Sequence, residues 1–221
     1  MFFTDWILAH GISISVLEII VFIPILATII NFARYFIGFK SFGIYGPIVL
    51  ALAYTFTGLR YGLLITLMVA ISSIISYSIL KKVRMHYISR TAINYIVISI
   101  MIVFGIMLFQ SLPLGFDNFN RINPLAIVSI AALSDFFIKM YVKKSIAITT
   151  RVLLETVVVA IIGWYFINSS NLINYIIYNL WIIPLLILVN LAIGMYTGLR
   201  FKELFRFWYI AKDDTRHPKK V

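Results

Sequence analysis

The chain has 221 residues, of which 62% are hydrophobic and 12% charged, with a formal net charge of +11; soluble domains run at roughly 45–50% apolar and 25% charged. A mean hydropathy of +1.00 excludes a soluble domain and marks an integral membrane protein, because each crossing of a hydrocarbon core roughly 30 Å thick takes about 20 apolar residues. The cations lie between and after apolar runs, where they orient a membrane protein rather than bind nucleic acid, and the absence of cysteine removes disulfides, thiolate nucleophiles and Cys-based metal sites.

The opening MFFTDWILAH carries no Lys or Arg, and the apolar run after it is too long for a signal-peptide core. It is read as the start of a retained first span, with no cleavage expected. Spans are predicted near Ile12 to Ile37, Phe42 to Thr57, Leu59 to Leu80, Thr91 to Leu112, Ile122 to Tyr141, Ile146 to Ile167 and Leu172 to Tyr196. The expected fold is an all-α membrane protein, a bundle of seven transmembrane helices. Span two is short and carries Gly43, Gly46 and Pro47, so it is expected to be the interrupted or re-entrant one, shielded by its neighbours.

Counting cations tests this register. Seventeen Lys and Arg residues fall on one side, and only Arg60 and Arg121 on the other. The positive-inside rule then puts the N-terminus outside and the C-terminus in the cytoplasm of the inner membrane. If span two failed to cross, the charges would no longer segregate. After span seven, Phe201, Leu204, Phe205 and Trp208 share one side of an expected interfacial helix. The domain reading is therefore a membrane domain over 1–208 and a basic cytoplasmic tail over 209–221, with lipid as the immediate partner.

Charges within spans need a partner, a water-filled cavity or an interface. Arg151 with Glu155, and Asp135 with Lys139, are spaced i,i+4, so each acid has a prospective partner on its own helix. Asp135 lies about 20 Å along its span from the outer end. Arg34 enters the inner half of span one from the same side, so these two are candidates for an assembly pair or a polar binding site, together with Gly43, Gly46 and Pro47. Gly43, Pro47 and Ala51 at four-residue spacing, and Gly194 with Gly198, read as close helix approaches. Thr-Gly-Leu-Arg at 57–60 and 197–200 is treated as a chance repeat. No nucleophile elbow, zinc-protease helix or phosphate loop is present, and His10, His86 and His217 are scattered, so no catalytic, cofactor or metal site is expected.

Three segments together resemble a known family. The first is ARYFIGFKSFGIYGPIVLALAY, with Arg34, Gly38, Gly43 and Pro47. The second is the closing GMYTGLRFKELFRFW, with Gly194, Gly198, Arg200, Glu203 and Arg206. Between them lie Arg90, at the opening of span four, and Asp135, in span five. The pattern resembles the bacterial seven-transmembrane domain usually fused to an inactive transglutaminase, and more distantly the membrane C subunit of poly-γ-glutamate capsule synthesis. The resemblance implies an N-out seven-helix bundle that docks a cytoplasmic ATP-grasp ligase, or exports its peptide-like or polyanionic product, without catalysing bond formation. Arg200, Glu203 and Arg206 would be the docking positions, and the transglutaminase-like part is expected as a separate chain or as dispensed with in a minimal version. An autonomous small-solute transporter is the alternative.

Overall fold

The computed structural model describes residues 10–11, 13–111 and 122–195. These residues divide between two compact units: one takes the chain up to Lys40 and from Ser170 onward, the other Ser41–Ser169. Every regular element among them is helical.

In the first unit, α1 (Ile14–Phe32) runs directly into a π-helical turn, Ala33–Ile37. That turn ends at Gly38, whose left-handed φ of 85° lets its N–H reach back to the Ala33 carbonyl at 3.0 Å. Helices α8 (Ser170–Tyr178) and α9 (Ile182–Met195) both pack on α1. Leu17 and Val21 of α1 bury against Ile177 of α8. The expected straight seventh span is corrected here: 171–178 and 182–195 meet at 101° across a break of three residues, a broken span.

Polar side chains hold α1 to α9. Asn31 Nδ2 donates to Asn190 Oδ1 at 2.8 Å, and Asn190 Nδ2 donates to Thr28 Oγ1 at 2.7 Å and to the Leu186 carbonyl at 2.8 Å. Thr28 in turn donates to the Pro24 carbonyl at 2.8 Å. In an apolar solvent such a clasp supplies what hydrophobic association does not. Asn190→Leu is expected to lower stability by about 0.6–2 kcal/mol, read as a lower midpoint in a thermal melt of the detergent-purified protein, whereas the exposed Leu191→Ala should leave it nearly unchanged.

The second unit is built round α2 (Tyr45–Thr57), with α3 (Leu59–Leu80), α5 (Pro124–Ala132) and α7 (Ile146–Ile167) against it. Helix α4 (Tyr87–Ser111) packs on α3, and α6 (Ser134–Lys143) on α3 and α7. Although α2 has only 13 residues, about 20 Å, its Leu50, Ala51 and Tyr54 are wholly buried. Neighbouring helices therefore cover its middle. Gly58, at φ 79° and ψ 148°, turns α2 into α3 in a conformation open to glycine alone.

Tyr54 anchors the α2–α3 hairpin. Thr66 donates its proton to the Gly62 carbonyl at 2.8 Å, so the Tyr54 hydroxyl, 3.0 Å away, donates to Thr66. Buried polar side chains share the core of this unit with apolar ones, and large apolar side chains cover its outside. Ser72, Ser73, Asn94, Thr149 and Thr156 are fully buried, while Leu67, Ile88, Val103, Leu125 and Leu154 are exposed. Among the described residues, five helices are long and apolar enough to cross a membrane, counting Pro124–Lys143 as one; the bent pair adds a sixth and α2 a shorter apolar helix. The protein is an all-α, multi-pass membrane protein.

Candidate functional site

The structure moves the interruption assigned to span two. Gly46 and Pro47 lie inside the first turn of α2, where a proline costs no hydrogen bond. The irregular backbone precedes them. Gly43, at φ 64°, turns the chain, with its N–H on the Ser41 carbonyl at 2.8 Å and its own carbonyl accepting from Ser41 Oγ at 2.7 Å. The Phe42 N–H is taken by Thr156 Oγ1 at 3.0 Å. Thr156 stands about 15 Å along α7 from its first residue, so Phe42 is buried level with the middle of α7, while Gly43, Ile44 and Tyr45 are exposed.

The predicted fifth span is present as one apolar helical span, Pro124–Lys143. Its hydrogen-bond ladder has one local break at Leu133, which keeps right-handed helical dihedrals and whose N–H bonds back to Ile130 at 3.1 Å. Ser134 and Asp135 follow directly at the start of α6. A Cβ on Gly46 would lie 3.8 Å from Leu133 Cδ2, and the Tyr45 and Phe136 rings are 6.2 Å apart. The start of α2 thus lies level with the Leu133 turn. A cavity of about 20 Å³, room for about one water, lies there between Phe42, Thr66, Ser73, Leu133, Ser134 and Phe137.

Next to this junction is a polar cluster. Asn94, wholly buried on α4, donates through Nδ2 to Ser134 Oγ at 3.1 Å. The Tyr95 hydroxyl interacts with the side chains of Ser134 and Asp135. Asn94 Oδ1, Asp135 Oδ1, Ser76 Oγ and Arg90 Nε are buried without a hydrogen-bond partner. Orphaned polar atoms are costly in a low-dielectric interior, and an unpaired ion in a span costs at least about 2.5–3.5 kcal/mol on insertion scales.

The nearby cations are turned elsewhere. The expected Asp135–Lys139 pair does not form: the Lys139 ammonium lies 5.8 Å from the Tyr87 ring centroid and 5.9 Å from that of Phe136. Arg90 lies over the Tyr77 ring at 5.9 Å and donates through Nη2 to the Val83 carbonyl at 3.4 Å. Arg151 and Glu155 do pair, at 3.3 Å. Contacts of Lys139 with Tyr87, and of Tyr77 with Tyr141 at 4.7 Å, bring the α3–α4 and α6–α7 connections to the same end of the unit. Lys81, Lys82, Arg84, Lys143 and Lys144 are exposed there.

The expected site residues divide as follows. Gly46, Pro47 and the turn carrying Asp135 share one level of the second unit, with Gly43 just before them; Arg34 is exposed in the π-helical turn of the first unit. Gly194 is exposed, and among the described residues a Cβ there would meet nothing within 4 Å. Arg200, Glu203, Arg206, Gly198 and the basic tail lie outside the described residues. Sequence reading passed over Asn94, Ser134 and Tyr95. A buried asparagine one turn from Arg90 was the available signal, yet serine and asparagine in spans are common enough to carry no alarm.

A family model described as seven transmembrane helices usually fused to an inactive transglutaminase matches residues 12–211. No curated protein and no solved structure matches the chain.

Proposed function

The chain belongs to the family of seven transmembrane helices usually fused to an inactive transglutaminase, and from that premise we propose that it is a non-enzymatic membrane scaffold or export component. In this reading it sits in the inner membrane with its N-terminus outside. It works beside a cytoplasmic ATP-grasp-type ligase and a separate transglutaminase-like chain, and its cargo is a peptide-like or polyanionic product. The observation that carries the reading is the gathering of exposed Lys81, Lys82, Arg84, Lys143 and Lys144 at one end of the second unit, next to a polar cluster set one to two helical turns inward. A basic rim raises the local concentration of an anionic product or partner, and the family's association with an inactive transglutaminase favours a non-catalytic role. Arg200, Glu203 and Arg206, outside the described residues, are assigned as the docking segment in this reading.

Affinity purification of the tagged protein from native membranes, followed by mass spectrometry, tests this. The wild type is expected to retain a ligase-like or transglutaminase-like chain that the Arg200→Ala/Arg206→Ala double variant loses at equal membrane abundance. Equal retention by the variant would overturn the docking assignment. Recovery of the protein alone would shift the reading to autonomous transport of a small solute, which the buried polar cluster favours; Arg34→Gln and Asp135→Asn should then reduce flux into liposomes.

A further inference from the structure

We propose that Asn94, Tyr95, Ser134 and Asp135 form a binding site for a single monovalent cation, Na⁺. Asn94 donates to Ser134 at 3.1 Å, Tyr95 and Asp135 follow them directly on the two helices, and the Tyr95 hydroxyl interacts with Ser134 and Asp135. Two oxygens of this cluster, Asn94 Oδ1 and Asp135 Oδ1, are buried acceptors with nothing to accept from. Asn94 is wholly buried, while Tyr95 and Asp135 are half-buried.

Acceptors without donors call for positive charge, and the chain's own neighbouring cations do not supply it. The Lys139 ammonium lies against the Tyr87 and Phe136 rings, and the Arg90 guanidinium reaches the Tyr77 ring and the Val83 carbonyl, while its Nε, buried without a partner, bonds to neither Asn94 Oδ1 nor Asp135 Oδ1. What remains is an all-oxygen set of one carboxylate, one amide carbonyl and two hydroxyls. Hard oxygen ligands suit alkali and alkaline-earth ions. A single carboxylate matches one positive charge and leaves a divalent ion unneutralised; among the described residues no three His, Cys, Asp or Glu side chains come together to hold one. The site needs no partner chain, so it stands or falls apart from the scaffold reading.

The test is the melting temperature of the purified protein in detergent as choline chloride is replaced by NaCl at constant ionic strength. A saturable rise with Na⁺ is expected, with little response to KCl. Asp135→Asn should move half-saturation at least tenfold higher. Tyr95→Phe, which keeps the ring and removes one ligand, should move it several-fold and carries the test if Asp135→Asn does not fold. Ser99→Ala, on the exposed face of α4, should leave it unchanged. Identical melting in NaCl and choline chloride would overturn the proposal, as would a Na⁺ response undiminished in both variants. Stabilisation by acidification alone, equal in the two salts, would assign a protonated Asp135 carboxyl instead and equally overturn it.

Discussion

Gly62→Ala is expected to lower stability by about 1–3 kcal/mol, the range for overpacking a filled core, and Gly62→Leu to prevent folding. A Cβ at this position falls on the Tyr54 ring and within 3.0 Å of Thr57 Oγ1. Neither neighbour can give way easily. Tyr54 is wholly buried and tied through its hydroxyl to Thr66, while Thr57 is held by the Ala53 carbonyl at 2.8 Å. Gly105 is a useful contrast, since a Cβ there meets only the flexible end of Met68, and Gly105→Ala should cost much less. Equilibrium unfolding in bicelles would rank the variants. A Tyr54→Leu background should recover part of the Gly62→Ala loss, because the ring is the obstacle. Equal stability of Gly62→Ala and the wild type would show that α2 and α3 are not locked at this crossing.

The second large effect is expected at Thr156. Its hydroxyl accepts from the Phe42 N–H at 3.0 Å while donating to its own Val152 carbonyl at 2.7 Å. Thr156→Val keeps the shape and removes the acceptor, leaving a backbone N–H unsatisfied far from water, at about 1–3 kcal/mol. Thr156→Ser should restore most of the loss. Gly46→Ala attacks the same joint from the other side, since its Cβ would lie 2.9 Å from Phe42 Cβ, an atom too close to the backbone to swing aside. Limited proteolysis near residues 38–44, with the thermal midpoint, would check both; unchanged midpoints would mean that the entry to α2 is held by other contacts.

The limits of α3 and α7 are those read from the sequence, Leu59–Leu80 and Ile146–Ile167, because long apolar runs bounded by glycine or cations leave a helix one choice of length. Interruptions were less legible. Gly43 and Pro47 did signal irregular backbone around span two, but the break falls before Tyr45, since a proline in a first turn is no obstacle. No glycine or proline marks the break at Leu133. That of the last span follows Tyr178, while Pro184 lies within α9. Helix breaks of this kind depend on what packs alongside.

Composition alone determined that this is a multi-pass helical membrane protein, because transfer of apolar surface and charge into lipid is paid residue by residue and needs no partner. Tertiary structure decided which polar groups meet. Periodicity offered Lys139 as the partner of Asp135, yet the lysine turned to aromatic rings on its own helix and on α4, and the carboxylate was left beside Asn94, Tyr95 and Ser134. Spacing within a helix fixes which residues share a face; only the packing of separate helices fixes which faces touch, and there the orphaned oxygens of this protein arise.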